Sequence, residues 1–375
     1  MSGSHARYDA VLLTGATGSI GRPLLPALRA NGFERVYALT HVDPLVAADP
    51  EVRAVKGDVT AGPDLGLAPQ DADEIRSTIT AIVHAAADTR FAAPLAVARD
   101  VNAGGTRNVL AFASRCRRLD RLVALSTTHV AGRRTGDILE DELEHDAGFV
   151  NAYEESKYGA ERELRRRAGD LPIAVCRLST VVGDSRSGDI ARRGAIHQAA
   201  LFMYASLAPM VPGREDSPVD LIALDYASRG IAWLATGGFE AGRTWHICAG
   251  ARTIAAGELL DLTLRSFEMY RPSWRKRAIA RPAFVDLDTF ELFRRSVDQI
   301  GEAALRASTA VVSQFAPQLA FPKRFDDRHC AAALAPAGIE PPLIRDAWVS
   351  VVRRLIEPAA EIGATSSMEA VNVAD

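Results

Sequence analysis

The chain has 375 residues, 48% of them apolar and 24% charged, with a formal net charge of −3 at pH 7. This is the composition of a soluble globular protein with room for one domain and an appendage or for two domains, and it excludes a globally basic binder of nucleic acid or anionic membrane. No segment approaches the ~20 apolar residues of a spanning helix, and the N-terminus MSGSHARYDA lacks the apolar stretch of a secretory signal.

In chain order, YDAVLLTGATGSIGRPLLPALRANG reads as a buried strand, a glycine-rich turn and a helix that closes near Gly32. RVYALT and VRAVKGDV are two further strands. A polar stretch broken by Gly and Pro runs from Thr60 to Gln70 and leads into a helical segment. AIVHAAA is a fourth strand, APLAVARDVNAGGTRNVLAFASRC a helix with an internal glycine pair, and RLVALSTT a fifth strand. A helix beginning at NAYEESK and a sixth strand, PIAVCRLSTVVG, complete an alternation that predicts a doubly wound α/β fold on a parallel sheet. After Gly183 the pattern changes. SRSGDIARRGA is loop-like, and IHQAALFMYASLAPMVPG is an apolar helix ended by Pro209 and Pro212. RTWHICAG is a late strand returning to the core, and residues 257–354 read as largely helical, broken by Pro272, Pro282, Pro317 and Pro322. The expected division is a flexible terminus over 1–7, a dinucleotide-binding Rossmann domain over 8–185, a smaller and mostly helical substrate region over 186–356, and a flexible tail over 357–375.

Gly15, Gly18 and Gly21 form GxxGxxG directly after a strand and at the opening of a helix. That context suits a pyrophosphate, because the glycines admit a close backbone approach and the helix start offers free N–H groups. The residues between and after the glycines, Thr17, Ser19, Ile20 and Arg22, belong to the same cradle. A tight turn with no ligand is the plain alternative. Asp58 and Val59 follow the third strand, where an adenine edge is read, and Ala85, Ala86 and Ala87 end the fourth, where small side chains let a dinucleotide lie across the sheet. The second strand ends in ALTHVD, with neither an acid for a free ribose diol nor a strong base for a 2′-phosphate. His41 is the nearest candidate and Arg22 a second, which favours NADPH over NADH.

Thr127 ends the fifth strand, and Tyr153 and Lys157 are spaced YxxxK on the next helix. Hydride transfer to a carbonyl needs a proton for the developing alkoxide, and a free Tyr, with a pKa near 10, is a reluctant donor at neutral pH. A Lys one turn away is expected to lower that value, and a strand-end hydroxyl to complete the oxyanion's hydrogen bonds. Thr127, Tyr153 and Lys157 are therefore the candidate catalytic set.

Together, TGATGSIG, GDV, HAAADTRF, VNAGGTRNVL, LSTTHVAG, YEESK and RLSTVVGD resemble the extended short-chain dehydrogenase/reductases, in that family's order and over roughly residues 8 to 190. The resemblance implies a Rossmann fold, an NAD(P) cofactor and Thr127, Tyr153 and Lys157 as catalytic residues. It further implies that Asn102 lies on the helix supporting the site and that Leu178 and Val181 line the nicotinamide. Within the family, GDVTAGPDLGL, HAAADTRF and the late FPKRFDDRHCAAALAPAGIEPP are similar to the fatty acyl-CoA reductase and thioester reductase (male-sterility-type) branch. That branch implies reduction of an acyl thioester, carried on coenzyme A or on a carrier protein, to an aldehyde or alcohol. No adenylation or carrier segment precedes the motifs, so the expectation is a free-standing enzyme acting in trans, with a homodimer as an open alternative to a monomer.

Two other classes stay open. One is a ketone or secondary-alcohol oxidoreductase or a sugar-nucleotide epimerase. A dehydratase version is poorer, because Thr128 and His129 stand where an acidic pair is expected. The other is a non-catalytic dinucleotide sensor, against which the retained Tyr/Lys pair argues. Basic clusters at Arg165–Arg167, Arg192–Arg193 and Arg275–Arg277 would suit a carrier protein or coenzyme A phosphates, or would simply be solvated faces. The four cysteines, Cys116, Cys176, Cys248 and Cys330, have no metal-site spacing. They read as buried thiols in a reducing, cytoplasmic compartment, with no metal expected.

Overall fold

The computed structural model describes residues 7–42, 45, 48–274 and 280–357. The expectations for the N-terminus before residue 7, for the tail after residue 357 and for the Arg275–Arg277 cluster lie outside the described residues. Seven parallel strands form the central sheet: β1 (Tyr8–Thr14), β2 (Phe33–Thr40), β3 (Val52–Lys56), β4 (Ala81–His84), β5 (Arg121–Thr127), β6 (Ile173–Leu178) and β7 (Thr244–Ile247). Their spatial order is 7-6-5-4-1-2-3. β4 and β6 are buried at every position, as expected of strands covered on both faces.

The helices are α1 (Gly21–Ala30), α2 (Pro69–Thr78), α3 (Leu95–Arg99), α4 (Gly105–Ala113), α5 (Ala152–Arg167), α6 (Ala195–Tyr204), α7 (Leu224–Leu234), α8 (Ala256–Tyr270), α9 (Leu287–Ile300), α10 (Ala303–Phe315), α11 (Arg328–Leu334) and α12 (Ile344–Ile356). Alternation along β1 feeds two cores. Val11 and Leu13 join Leu24, Leu28, Ile231 and Trp348 on one face, while Ala10 and Leu12 join Ile75, Val109, Phe112 and Leu164 on the other. The first core runs without a break into α7 and α12, so the C-terminal region shares its apolar interior with the sheet.

Four elements depart from the sequence reading. α7 has no counterpart in it, and this helix packs against α1. The region 257–354 contains two short strands at its proline breaks: Ala283–Val285 pairs in parallel with Met210–Pro212, and Lys323–Phe325 with Gly136–Ile138. Strands of three residues carry too little alternation to be read locally, and they exist only because a distant partner completes their hydrogen bonds. Finally, α6 stops at Tyr204, ahead of Pro209, where Ser206 turns to a φ of 65°.

Two histidines are locked inside this frame. His84 and His246 are buried and neutral, each with a pKa pushed down to about 3 by burial, helped by the nearby Lys157 and Arg177 charges respectively. An unfolded histidine titrates near 6.5, so the folded state binds fewer protons between the two values. Stability is therefore complete above pH ~6.5 and is lost as pH falls toward ~3, with a slope of about 1.4 kcal/mol per pH unit for each histidine. Melting temperatures measured from about pH 7 down to about pH 4 are expected to fall accordingly, and His84→Gln to flatten the slope. An unchanged slope in that variant would remove His84 as a cause.

Candidate active site

The parallel sheet brings the ends of six strands to one edge. From β3 across to β6, the residues at or just after those ends are Asp58, His41, Gly15, Ala85, Thr127 and Leu178. Open α/β sheets bind ligands beyond this edge at the point where strand order reverses, here between β1 and β4.

The β1–α1 turn is shaped for close backbone approach. Gly15 has a φ of 69°, and a Cβ there would lie 2.6 Å from the Ala86 amide nitrogen. A Cβ at Gly21 would lie 2.1 Å from the Gly15 carbonyl oxygen. α1 begins with no side-chain cap and no acid in its first turn among the described residues, so its positive end is open to an anion. Thr17, Ser19 and Ile20 are half-buried around the turn, Gly18 is exposed, and the exposed Arg22 folds back to donate from Nε to the Thr17 carbonyl at 3.0 Å. These glycines fit a dinucleotide phosphate, and larger residues would close the space.

A buried relay fastens the neighbouring strand end. The Thr14 hydroxyl accepts from the Ala85 and Ala86 amides, each at 3.2 Å, and meets His84 Nδ1 at 2.8 Å. His84 Nε2 meets Thr106 Oγ1 at 3.2 Å, and that hydroxyl donates to the Asn102 carbonyl at 2.6 Å. Counting donors, Thr14 gives its proton to Nδ1 and Nε2 carries the ring proton. The Ala85 to Ala87 stretch is thus held against the glycine turn by a histidine that the sequence marks only as the end of a strand.

Two further candidates, Asn102 and Val59, have buried side chains. Asn102 sits in a π-helical turn, Asp100–Gly104, between α3 and α4, and is buried. Its Oδ1 accepts from the Asp88 amide at 2.8 Å, while Nδ2 donates to the Asp88 carbonyl at 2.9 Å and to Ser156 Oγ at 2.8 Å. The side chain is consumed by protein, so it braces the post-β4 loop against α5 and does not itself face the edge. Val59 is also buried, packed against Gly105, where any Cβ would come within 2.9 Å of it. Asp58 remains partly exposed and pairs with His41 at 3.4 Å. On the other flank Leu178 is buried, and Val181 is half-buried on a two-residue strand paired with Leu221–Ile222.

The candidate proton-handling set is assembled by α5. The Asn151 side chain caps the helix by accepting from the Glu154 amide at 3.1 Å, and Glu154 reaches back to the Val150 amide at 2.9 Å, a reciprocal cap written in the sequence as NAYE. This cap puts Tyr153 in the first turn and Lys157 one turn later on the same face. The Phe91 ring lies against Tyr153 with centroids 5.5 Å apart. Burial pushes the Tyr153 pKa up to about 12, while a hydrogen bond with Thr127 pulls it back. Lys157 is buried and donates to the Leu125 carbonyl at 2.7 Å, and burial lowers its pKa to about 8 against the opposing pull of Glu161. The expectation of a lowered Tyr153 pKa is therefore not met: burial raises it, and the opposing pull comes from Thr127. Tyr153 is a phenol at neutral pH, which is the state a proton donor requires.

Several charged groups beside this set escape the sequence reading. Glu154 is buried and hydrogen-bonded by the Gln318 amide, and Lys323 donates to the Gly132 carbonyl at 2.6 Å and to Gln318 Oε1 at 2.8 Å. Glu161 and Arg177 form a buried pair. Their only local signal is a Glu one turn beyond Lys157 in a helix otherwise rich in Arg. Of the basic clusters, Arg166 and Arg167 are paired with Glu163 and Asp170 near the end of α5, and Arg192 and Arg193 are exposed. No helix among the described residues is long and apolar enough to cross a membrane.

A match to the family described as Male sterility protein spans residues 30–231. The chain is 27% identical over 295 residues to a linear gramicidin synthase polypeptide from Brevibacillus parabrevis, covering 72% of this chain and 6% of that protein. It spans only 5–6% of the length of the first curated relatives it matches. Among solved structures, the terminal R domain from the myxalamid PKS-NRPS biosynthetic pathway superimposes with a TM-score of 0.76 at 25% identity, covering 95% of this chain and 93% of that one. A thiolation-reductase di-domain from an archaeal non-ribosomal peptide synthetase gives a TM-score of 0.68 at 19% identity, over 93% and 75% of the two chains.

Proposed function

Because the chain belongs to the Male sterility protein family and is an NAD(P)-dependent oxidoreductase of the extended short-chain type, we propose that it reduces an acyl thioester, held on coenzyme A or on a carrier protein, to an aldehyde. The observation that carries the reading is the convergence at one sheet edge of the strand-end Thr127, of Tyr153 and Lys157 on α5, and of a glycine turn shaped for a dinucleotide. The likeness to parts of assembly-line synthetases, the myxalamid terminal R domain among them, supports the thioester over a ketone.

The Gly15–Gly21 turn and the Ala85–Ala87 wall would hold an NAD(P) cofactor, which would supply the hydride when bound. Thr127 and Tyr153 hold the thioester carbonyl oxygen between two hydroxyls, and Tyr153 gives its proton to that oxygen as the carbonyl carbon is reduced. The resulting hemithioacetal returns the hydroxyl proton to the Tyr153 phenolate, the C–S bond breaks, and the sulfur leaves as thiol after taking up a solvent proton. The balance is thioester plus hydride plus one proton to aldehyde plus thiol. A second hydride and proton would give the alcohol. Lys157, charged at neutral pH, steadies the phenolate between the two proton transfers.

Oxidation of NADPH should be followed with acyl-CoA, acyl-pantetheine and carrier-loaded thioesters against ketones and nucleotide sugars. Turnover of thioesters is the expected result, and turnover of ketones alone would move the function to carbonyl reduction. The preference for NADPH is supported by the absence of an acid at the end of β2, by the exposed Arg22 and by His41. His41→Ala and Arg22→Ala are each expected to raise KM for NADPH by about 10-fold, the effect of losing one charge-assisted phosphate contact of ~1.4 kcal/mol. KM for NADH should stay the same. Equal loss with both cofactors would mean that the two residues do not read the 2′-phosphate.

A further inference from the structure

We propose that the buried Glu161–Arg177 pair is a positioning device for Lys157, setting both its register on the sheet and its charge, and that through His246 it ties the catalytic helix to the C-terminal segment. The inference rests on the reading of Tyr153 and Lys157 as the proton-handling pair.

Lys157 and Glu161 are one turn apart on α5, and they grip consecutive residues of β5. Lys157 Nζ donates to the Leu125 carbonyl at 2.7 Å, and the Ser126 hydroxyl donates to Glu161 Oε2 at 2.9 Å. On the far side, Arg177 of β6 donates from Nε to both Glu161 oxygens at 3.0 and 3.1 Å. The rest of the guanidinium reaches the Glu140 carbonyl at 3.3 Å, the Glu142 carbonyl at 2.7 Å and His246 Nε2 at 3.0 Å. Since Arg177 can only donate, His246 Nε2 accepts, and Nδ1 donates to the Asp326 carbonyl at 2.8 Å. Relative exposures are 0% for Glu161 and His246 and 1% for Arg177.

A buried ion pair is a weak source of stability, because an apolar pair of similar volume often folds as well. Its place here has a stronger electrostatic rationale. The charged and titratable groups around Lys157 are Tyr153 and Glu161 on its own helix, neutral His84 on β4, and Arg177 on β6 behind Glu161. Burial drives Lys157 toward its neutral form, and Glu161 is the carboxylate that opposes this. Arg177 holds that carboxylate in place through the paired hydrogen bonds from its Nε. The apolar reach of the site thus coexists with an ammonium that keeps its proton.

The test is a direct titration. The chain has four lysines, Lys56, Lys157, Lys276 and Lys323, so NMR of protein labelled with ε-13C-lysine, assigned with Lys157→Arg, isolates Lys157. Glu161→Gln is expected to move its titration down by about one pH unit. Because that variant leaves Arg177 unpaired, the double variant Glu161→Gln/Arg177→Met removes both charges and keeps the fold accessible, with a smaller downward shift expected because a like charge is lost as well. The alkaline limb of kcat/KM should move with it, since activity is lost as Lys157 gives up its proton. A folded double variant whose Lys157 titrates as in the parent overturns the proposal. Retained turnover in Tyr153→Phe would instead overturn the catalytic reading beneath it, so the two failures are distinguishable.

Discussion

Tyr153→Phe is expected to lower the rate of hydride transfer by about 10³-fold, within the 10²–10⁴ range typical of a positioned general acid. Dinucleotide affinity should be left near that of the parent. In the proposed mechanism the phenol is the proton source for the carbonyl oxygen, and its pKa of about 12 keeps it protonated across the working range. Phenylalanine preserves the ring that packs on Phe91, so the fold has no reason to change. In the same mechanism the phenolate side of the cycle depends on Lys157, whose pKa of about 8 would put an alkaline limb on the activity. Activity is expected to be full below that value and to fall as pH rises through it. Stopped-flow measurement of the reduction step, with cofactor titration by fluorescence, checks both halves. Loss of cofactor binding in the variant, or an unchanged rate, would contradict the assignment.

Glu140→Ala is expected to destabilise the protein by about 3–5 kcal/mol, the cost of stranding several buried donors at once. The Glu140 carboxylate accepts from the His246 amide at 2.9 Å, the His329 amide at 2.7 Å and the Cys330 amide at 3.0 Å. Two of these are free first-turn donors of α11, so a residue almost two hundred positions earlier serves as that helix's cap. Burial pushes the Glu140 carboxyl up from its usual range, and the three amides pull it back. The same residue's backbone carbonyl, which the variant keeps, takes a hydrogen bond from Arg177, so the damage should centre on α11 and not on α5. Denaturation in urea gives the magnitude. Hydrogen exchange should locate the damage at the His329 and Cys330 amides, whose unchanged protection would exclude the capping role. Glu140→Gln, which retains one acceptor, should cost less.

Much of the architecture was legible in the chain because it is written locally. Fully apolar strands such as AIVH and IAVCRL announce a sheet covered on both faces, and TGATGSIG between a strand and a helix announces a phosphate turn. YxxxK marks two residues on one helix face. The elements that escaped are those without a local pattern. Lys323–Phe325 is a strand only because Gly136–Ile138 lies beside it. α7 occupies a stretch whose role emerges once α1 is packed against it. Asn102 sits in a motif shared with the cofactor-binding part of the chain, yet its position in a π turn spends both polar ends on Asp88 and Ser156.

The sequence by itself determined the strands of the central sheet, the glycine turn, and the residue types Thr127, Tyr153 and Lys157 at their spacing, since each depends on backbone geometry within a few neighbouring residues. Only the tertiary structure decided the protonation of Tyr153, the pairing of Glu161 with Arg177, and the capping of α11 by Glu140. A pKa or a buried hydrogen bond depends on which distant atoms exclude water from a group, and segments far apart in the chain supply those atoms.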